Sequence, residues 1–397
     1  MLTVAVASCL HMDSHYIGKF DPELGVHSNW HEALCQLRKI VNYCNKHDVD
    51  FLVLNGDIFH TGRPTPEAVV RVRRELDRLD TTKVIAEPGN HDLQQINASH
   101  ADPLTAYFTG SRWCETVVTE PSVIDIDGFM LAVMPWFRVS GRSEIDDVSQ
   151  EMADETKRMA DEVSAHDGPS LFVGHLTTKS VAEQFDFKSR SELASTNTGL
   201  EAVLDERVLD DGPWDKYCLG HIHKHQKVGN VGKGVYTGST HRVTFSEEHE
   251  TKGFSLYTWN EKTGKVSTKF INLGGRQLIS VDLSDVGSDP TIDEKRVESL
   301  VKRDYFRLTL PYEYALDDMP EKVQDTYYDL LDNGIIVDLR NAAPPKSEKT
   351  TTSIPVEEDA SPTEMMSAYI DDQEDIGVDK KKRIIEQFRE IEERAAS

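Results

Sequence analysis

The sequence predicts an α/β fold: a four-layer α/β/β/α sandwich of two sheets flanked by helices, followed by a small α+β domain and C-terminal helices. Three observations predict it. Strand-like and helix-like segments alternate through the first 260 residues, as βαβ units of a largely parallel sheet do. Short alternating runs between 227 and 273 read as antiparallel strands. A second alternation of strand and helix begins near 275.

Each element has its own signal. TVAVAS at 3–8 is a short apolar run, and NWHEALCQLRKIVNYCNKH at 29–47 carries Trp30, Leu34, Leu37, Ile40, Val41 and Cys44 at helical spacing. DFLVLNGD at 50–57 is a buried strand by its Phe-Leu-Val-Leu run, and PEAVVRVRRELDRL at 66–79 is a helix with Pro66 near its first turn. KVIAEPGNHD at 83–92 gives a third strand ending in a glycine-containing turn. SVIDIDG at 122–128 and FMLAVMPW at 129–136 form a hairpin-like pair separated at Asp127-Gly128. Segment 144–165 is a helix, SLFVGH at 170–175 and KYCLGHIH at 216–223 are strands, and VYTGS, FSLYTW and VSTKFINL are the antiparallel runs.

The unit from 275 to 341 reads β-α-β-α-β: ISVDLSD at 279–285, a helix near 292–302, DYFRLTL at 304–310, a helix at 319–332 and GIIVDLR at 334–340. Residues 342–362 are polar and rich in Pro, Ser and Thr, a linker by composition. Two helices are expected in 363–397, one over 363–372 and one over 380–395 with Ile384, Ile385, Phe388 and Ile391 as an apolar stripe. The remaining span, 1–274, is the expected main domain.

A chain of 397 residues, 38% hydrophobic and 28% charged, has the composition of a soluble protein. No apolar stretch approaches the roughly 18 residues of a membrane span, and MLTVAVASCL reads as a first strand, not a signal peptide. The expected location is the cytosol. Cysteines 9, 35, 44, 114 and 218 are odd in number and include no CxxC pair, which argues against a disulfide framework or a zinc ribbon. The net charge of −25, from 44 basic and 69 acidic residues, ordinarily counts against nucleic acid as a partner. It is weak evidence beside a phosphate site, because divalent metals bring their own charge and a basic partner subunit can supply the rest.

Five clusters follow apolar runs in a fixed order: CLH at 9–11, GDIFH at 56–60, GNHD at 89–92, GH at 174–175 and GHIH at 220–223. Open α/β sheets bind ligands outside the carboxyl ends of their strands, so side chains distant in sequence can converge there. Phosphodiester hydrolysis needs an activated water, stabilised phosphoryl oxygens and an eased leaving group, which two metals about 3.5–4 Å apart can serve. Asp57 is the best bridging carboxylate. His11, His223 and Asp57 then hold one metal, and Asp57, Asn90, His175 and His221 the other. His221 and His223, two apart, share a face if they lie on a regular strand. Mixed nitrogen and oxygen ligation suits manganese, iron or zinc better than magnesium alone. His91 is the candidate general acid with Asp92 as its orienting partner, and His60 is assigned to phosphate positioning. Singly, each motif is as well explained by a turn or a satisfied buried histidine.

In this order the five clusters resemble the calcineurin-like metallophosphoesterase superfamily. A narrower likeness lies in VYTGSTHRVTFSEEHETKGF at 235–254, which is similar to a segment of SbcD-type nuclease subunits through Tyr236, Gly238, Ser239, Arg242, Phe245, Glu247, Lys252, Gly253 and Phe254. Residues 12–30 resemble phage-type members. The resemblance implies two divalent metals, Mn2+ above all, and cleavage of double-stranded DNA ends and hairpins. It also implies a homodimer, a DNA-capping role for 275–341, and terminal helices that grip the coiled-coil base of an SbcC-like ATPase.

The pattern breaks at its first motif. The family has Asp-x-His where this chain has Cys9-Leu10-His11, and a thiolate is softer and favours zinc over hard metals. In an alternative register Asp13-Ser14-His15 is the motif. A third reading is a weakened centre that binds DNA ends without cutting them, and a fourth is a small-molecule or cyclic-nucleotide phosphodiesterase of the same superfamily. His27, His31, His47, His100, His166, His241 and His249 read as surface or loop histidines. Arg71, Arg73, Arg74 and Arg78 read as a solvated helix face or as a set of DNA phosphate contacts.

Overall fold

Two six-stranded sheets lie face to face with helices on both outer sides. The computed structural model describes residues 1–93, 103–137, 145–184, 202–282, 305–310, 321–332 and 336–341, together with Asp317, Lys381, Lys382, Ile385 and Arg389. The helices expected near 292–302 and 363–372, the linker and His100 lie outside the described residues. The chain divides into two compact units, Met1–Ala342 and Ala343–Ser397. In the second, Lys381, Lys382, Ile385 and Arg389 are helical, within the helix expected over 380–395.

The first sheet runs in the order Lys265–Asn272, Gly253–Asn260, Leu2–Ala7, Phe51–Asn55, Lys83–Glu87 and Cys114–Val117. Its last four strands are parallel and its first two pair antiparallel. The second sheet runs Gln226–Val228, Gly234–Tyr236, Lys216–Gly220, Ser170–His175, Phe129–Met134 and Ser122–Ile126. It too is parallel at its centre with antiparallel strands at both edges. The expected parallel interior and antiparallel edges are therefore both present. Cys114–Val117 and the short parallel pair Thr177–Thr178 and Val203–Leu204 are too brief to carry a sequence period.

Alternation along each strand sorts its side chains into separate cores. Leu2, Val4, Val6, Val53 and Ile85 meet Leu131, Val133, Leu171, Val173 and Cys218 between the two sheets. Their strand neighbours Ala5, Ala7, Leu52, Leu54, Val84 and Ala86 face the other way, onto Trp30, Leu34, Leu37, Ile40, Val41 and Cys44 of the helix Ser28–Lys46. On the far side Met130, Ala132, Met134, Phe172 and Leu219 pack against Val148, Met152, Met159 and Val163 of the helix Ile145–Ser164. Three apolar layers between four layers of secondary structure make the α/β/β/α sandwich.

The helix Pro66–Leu76 starts at an N-cap, Thr65, whose hydroxyl accepts from the Ala68 N–H at 3.3 Å. Most of its arginines are engaged by the protein: Arg71 pairs with Glu67 and Arg73 donates to Ser111. Just past its end Arg78 pairs with Glu75, which Arg38 also reaches. His27 caps the helix Ser28–Lys46 by accepting from the Asn29 N–H.

Leu278–Asp282, Tyr305–Leu310 and Ile336–Asn341 form a separate three-stranded parallel sheet, with the helix Glu321–Asp332 between the last two. A small apolar cluster of Ile17, Phe245, Leu278 and Tyr305 joins it to the sandwich, and Arg307 lies 4.2 Å from the Phe245 ring centroid. Among the described residues no helix is long and apolar enough to cross a membrane, and all five cysteines are free.

The Asp127-Gly128 turn has φ of +51° and +82°, the left-handed pair that a two-residue hairpin requires. A Cβ on Gly128 would meet nothing within 4 Å, so only backbone strain opposes it. Gly128→Ala is expected to cost about 1–2 kcal/mol in urea unfolding, with no change in secondary structure by circular dichroism.

Candidate metal centre

Five parallel strands stop at one edge of the sandwich and deliver the motif residues there. Cys9 and His11 follow Leu2–Ala7, Asp57 follows Phe51–Asn55, and Asn90 and His91 follow Lys83–Glu87. Ser170–His175 ends on His175, and His221 and His223 follow Lys216–Gly220. The first two loops run side by side, with Cys9 N donating to Gly56 O (3.0 Å), His11 N to Asp57 O (2.9 Å) and Met12 N to Ile58 O (3.0 Å).

Close approach of the two sheets needs glycine at two positions. A Cβ on Gly56 would stand 2.1 Å from His175 Nδ1, and one on Gly220 would stand 2.2 Å from Ser8 Oγ. Asn55 spans the same gap. With its amide oriented to suit its neighbours it donates to Glu87 Oε1 (2.7 Å) and Gly174 O (3.3 Å) and accepts from Gly220 N (3.2 Å). Cys9, His11, Asp57 and His221 hold left-handed φ of +52°, +43°, +51° and +82°, the kind of backbone strain that gathers at functional sites.

Two donor groups share Asp57. In the first, His11 Nε2 lies 2.9 Å from His223 Nε2 and 3.7 Å from Asp57 Oδ2. In the second, His175 Nε2 lies 3.3 Å from Asp57 Oδ2 and 3.2 Å from Asn90 Oδ1, which is 3.0 Å from His221 Nδ1. Donors about 2.0–2.2 Å from a common cation stand about 3 Å apart when they subtend a right angle, and these spacings fit. Cys9 Sγ lies within 4.8 Å of donor atoms of His11 and His223, and within the same distance of donors of Asp57 and His175. Asp13 joins neither group: its Oδ2 accepts from Thr65 N at 2.9 Å and its Oδ1 lies 3.8 Å from His15 Nε2. The cluster of histidines, aspartate and cysteine is a site for divalent metals.

Electrostatics agree with that donor set. Burial would raise the Asp57 carboxyl, yet His175, His91 and His11 around it hold it well below the usual carboxylate range. Burial and the neighbouring His223 push His11 well down, so its imidazole is neutral and can ligate. Burial would also lower His223, but the Glu247 carboxylate and Cys9 raise it well above the ordinary histidine range. A divalent cation at Nε2 can supply the positive charge Glu247 favours, in place of a proton. One histidine of each donor group is oriented from behind: His223 Nδ1 faces Glu247 Oε1 at 2.9 Å and His175 Nδ1 faces Asn55 O at 3.0 Å. Each places the ring proton away from the cluster and leaves the other nitrogen as the donor.

His91 and His60 stand beside His11 and the shared Asp57. The His91 N–H donates to Asp57 Oδ1 (2.9 Å), and its ring Nδ1 donates to His60 O (2.9 Å). The two rings stack with centroids 5.0 Å apart, and His60 Nδ1 is 3.2 Å from His11 Nδ1. Burial and the nearby His91 push His60 down to about 4.

Three expectations need correction. His221 and His223 do not lie on a regular strand, because the strand ends at Gly220. They reach the cluster through a loop that turns at His221. Asp92 does not orient the His91 ring. It is fully buried and accepts from the N–H groups of Phe59 (2.8 Å), Gly89 (2.9 Å) and Ile58 (3.1 Å), tying two loops together. Burial and the Asp57 charge push its carboxyl up to about 8, against those three donors. His241, expected at the surface, is buried and its ring nitrogens find no hydrogen-bond partner among the described residues; burial pushes it down to about 4.

The supports beneath the ligands escape a reading of the sequence. Glu247 accepts from His223, from Ser239 Oγ (3.3 Å) and from Val243 N (3.2 Å), and lies 2.6 Å from the fully buried Lys252 ammonium. Lys252 donates in turn to His223 O (3.0 Å) and Glu250 Oε2 (2.7 Å). Lys252 and His223 hold the Glu247 carboxyl well below its usual range although burial alone would raise it. Both residues belong to the 235–254 match, where in sequence they serve only as family markers. Asn55 has a fainter signal, a lone amide closing an apolar strand. Trp136, whose ring centroid is 4.9 Å from that of His221, has none beyond its place after a strand.

A family model described as calcineurin-like phosphoesterase matches residues 2–225. The SbcD subunit of nuclease SbcCD from Staphylococcus saprophyticus is 25% identical over 309 residues, covering 73% of this chain and 75% of that one. Among solved structures, a dimetal phosphatase from Danio rerio aligns over 69% of this chain and 96% of its own with 13% identity and a TM-score of 0.43. Purple acid phosphatase PPD1 from yellow lupin seeds aligns over 68% and 51% with 10% identity and a TM-score of 0.37.

Glu247→Ala leaves the buried Lys252 with Glu250 as its remaining carboxylate, and should cost about 3 kcal/mol in urea unfolding. Glu247→Gln keeps the shape and removes the charge behind His223. It should weaken divalent-cation binding about 10–100-fold in calorimetric titration of the metal-free protein.

Proposed function

The chain belongs to the calcineurin-like phosphoesterase family, and from that premise we propose that it is a metal-dependent DNA nuclease subunit of SbcD type. It hydrolyses phosphodiester bonds at double-stranded DNA ends or hairpins. The observation that carries this reading is the length of the match to the SbcD subunit, 73% of the chain. It runs past residue 225, where the family model ends. Within the 235–254 segment Tyr236, Ser239, Arg242, Glu247 and Lys252 are all buried, which gives that stretch a structural task beneath the site.

His11, His223 and Asp57 would hold one ion and Asp57, Asn90, His175 and His221 the other, the latter a set suited to Mn2+. When bound, two such ions supply positive charge against the phosphoryl oxygens and lower the cost of activating water. The protein's own groups do the rest. Asp57 fixes the His91 backbone through Oδ1, and the His60 carbonyl takes the Nδ1 proton of that ring. Nε2 of His91 is then the nitrogen that delivers a proton to the leaving oxygen. His60, stacked on His91, positions the phosphate, and the Trp136 ring forms a wall beside His175 and His221.

The formal charge of −25 opposes DNA binding by this chain alone, so the reading requires a partner that supplies the basic DNA-binding surface. An SbcC-like coiled-coil ATPase fits that need. On this reading the chain works as a homodimer with it in DNA repair or recombination.

Asp57→Asn and His91→Ala should each abolish Mn2+-dependent degradation of linear duplex DNA, the latter by about 10²-fold or more, with circular dichroism unchanged. Undiminished cleavage by both variants would refute the assignment.

A further inference from the structure

The two donor groups are chemically unequal, and we propose that Cys9 is a thiolate ligand. It makes the first group a site for a thiophilic divalent cation, Zn2+ or Fe2+, beside a harder ion in the second. This rests on the two-ion reading above.

The surroundings of Cys9 set it apart from the other buried cysteines. Cys44 and Cys218 pack in apolar clusters, the first on the buried face of the helix Ser28–Lys46 and the second between the sheets. Cys9 is as fully buried as they are, yet its sulfur stands among metal-ligating atoms: those of His11 and His223 on one side, and of Asp57 and His175 on the other. Ser8 Oγ is 3.2 Å from it. Its backbone N–H is tied to Gly56 O at 3.0 Å, and its φ of +52° puts a turn into the chain at that point. The acidic donor in the same loop, Asp13, bonds Thr65 N through Oδ2 and belongs to none of the clusters of converging donor atoms. Among the described residues, Asp57 is the one carboxylate in the first group's donor cluster besides the sulfur.

Cys9 also lies within reach of Asp57 and His175, but the imidazole it hydrogen-bonds is His223 of the first group. That group is then one sulfur, two imidazoles and a shared carboxylate, borderline to soft, whereas Asp57, Asn90, His175 and His221 are nitrogen and oxygen donors. The first set favours Zn2+ or Fe2+ and the second accommodates Mn2+. On binding, the Cys9 S–H bond breaks, its proton passes to solvent and the sulfur electron pair forms the bond to the cation. Nothing is oxidised or reduced.

Full-length protein freed of metal by a chelator is titrated with Co2+, and bound metal is counted. Expected are two Co2+ per chain and a near-ultraviolet thiolate-to-Co2+ charge-transfer band that saturates with one of them. X-ray absorption of the wild type carrying one Zn2+ should show a single sulfur at about 2.3 Å, a readout that needs no variant. Cys9→Asp should still bind two Co2+, lose the band, and lose the preference of one site for Zn2+ over Mn2+ in competition dialysis. Two bound Co2+ without the band, or a Zn2+ shell without sulfur, overturns the proposal and leaves the two-ion reading standing. Fewer than two Co2+ in the wild type overturns both.

Discussion

An ionised carboxylate buried where two sheets meet is the constraint on which the rest of the molecule depends. Asp57 is 1% exposed, and burial on that scale costs several kcal/mol unless charge and hydrogen bonds compensate. Compensation comes from three directions: Oδ2 faces His11 and His175, one from each sheet, and Oδ1 accepts the His91 N–H. Room for it comes from glycine. A Cβ on Gly89 would fall 2.2 Å from Asp57 Oδ1, so the loop after the third strand can pass only where it has no side chain. The glycine at position 89 and the course of the loops around it follow from accommodating one carboxyl group, while Gly56 and Gly220 make room for His175 and Ser8 beside it.

Behind the first donor group stands a second buried charge system of opposite design. Glu247 and Lys252 neutralise each other at 2.6 Å, and Thr244 and Glu247 close a capping box on the short helix Phe245–Glu247. The pair holds one ligand by both of its parts: Glu247 takes the His223 ring proton, and Lys252 grips the His223 carbonyl. Lys252 also reaches Ser239 Oγ at 2.8 Å, and Ser239 borders Ser8 through an isolated bridge. The two ends of the segment from Tyr236 to Phe254 are thereby joined to the first strand, one residue before Cys9.

Periodicity makes the sandwich legible. Runs such as TVAVAS and FLVLN are too apolar to be anything but interior strands, and the 3.6-residue pattern of Trp30 to Cys44 matches the face that is buried. The same apolar continuity conceals which side of each strand faces the partner sheet, since Val4 and Ala5 look alike in sequence and lie in different cores. The ligands can be picked out because each follows a strand end. The choice between Cys9 and Asp13 cannot be made there. It turns on backbone direction at left-handed residues, and no local propensity announces those. Supports are harder still: Glu247 acts on His223 across 24 residues of chain, and Asp92 acts on Phe59 across 33. His241 is misjudged because a histidine in a polar stretch carries no mark of the burial that tertiary packing imposes.

The left-handed turns at Cys9, His11, Asp57 and His221 each cost about 1–2 kcal/mol, together a large part of the roughly 5–15 kcal/mol that holds a domain folded. That expense is met during folding, so the cage stands ready and a cation entering it meets little reorganisation. An ion that binds only the folded cage returns free energy in proportion to the logarithm of its concentration. The melting temperature of this chain is therefore a reading of divalent-cation supply as much as of its own packing.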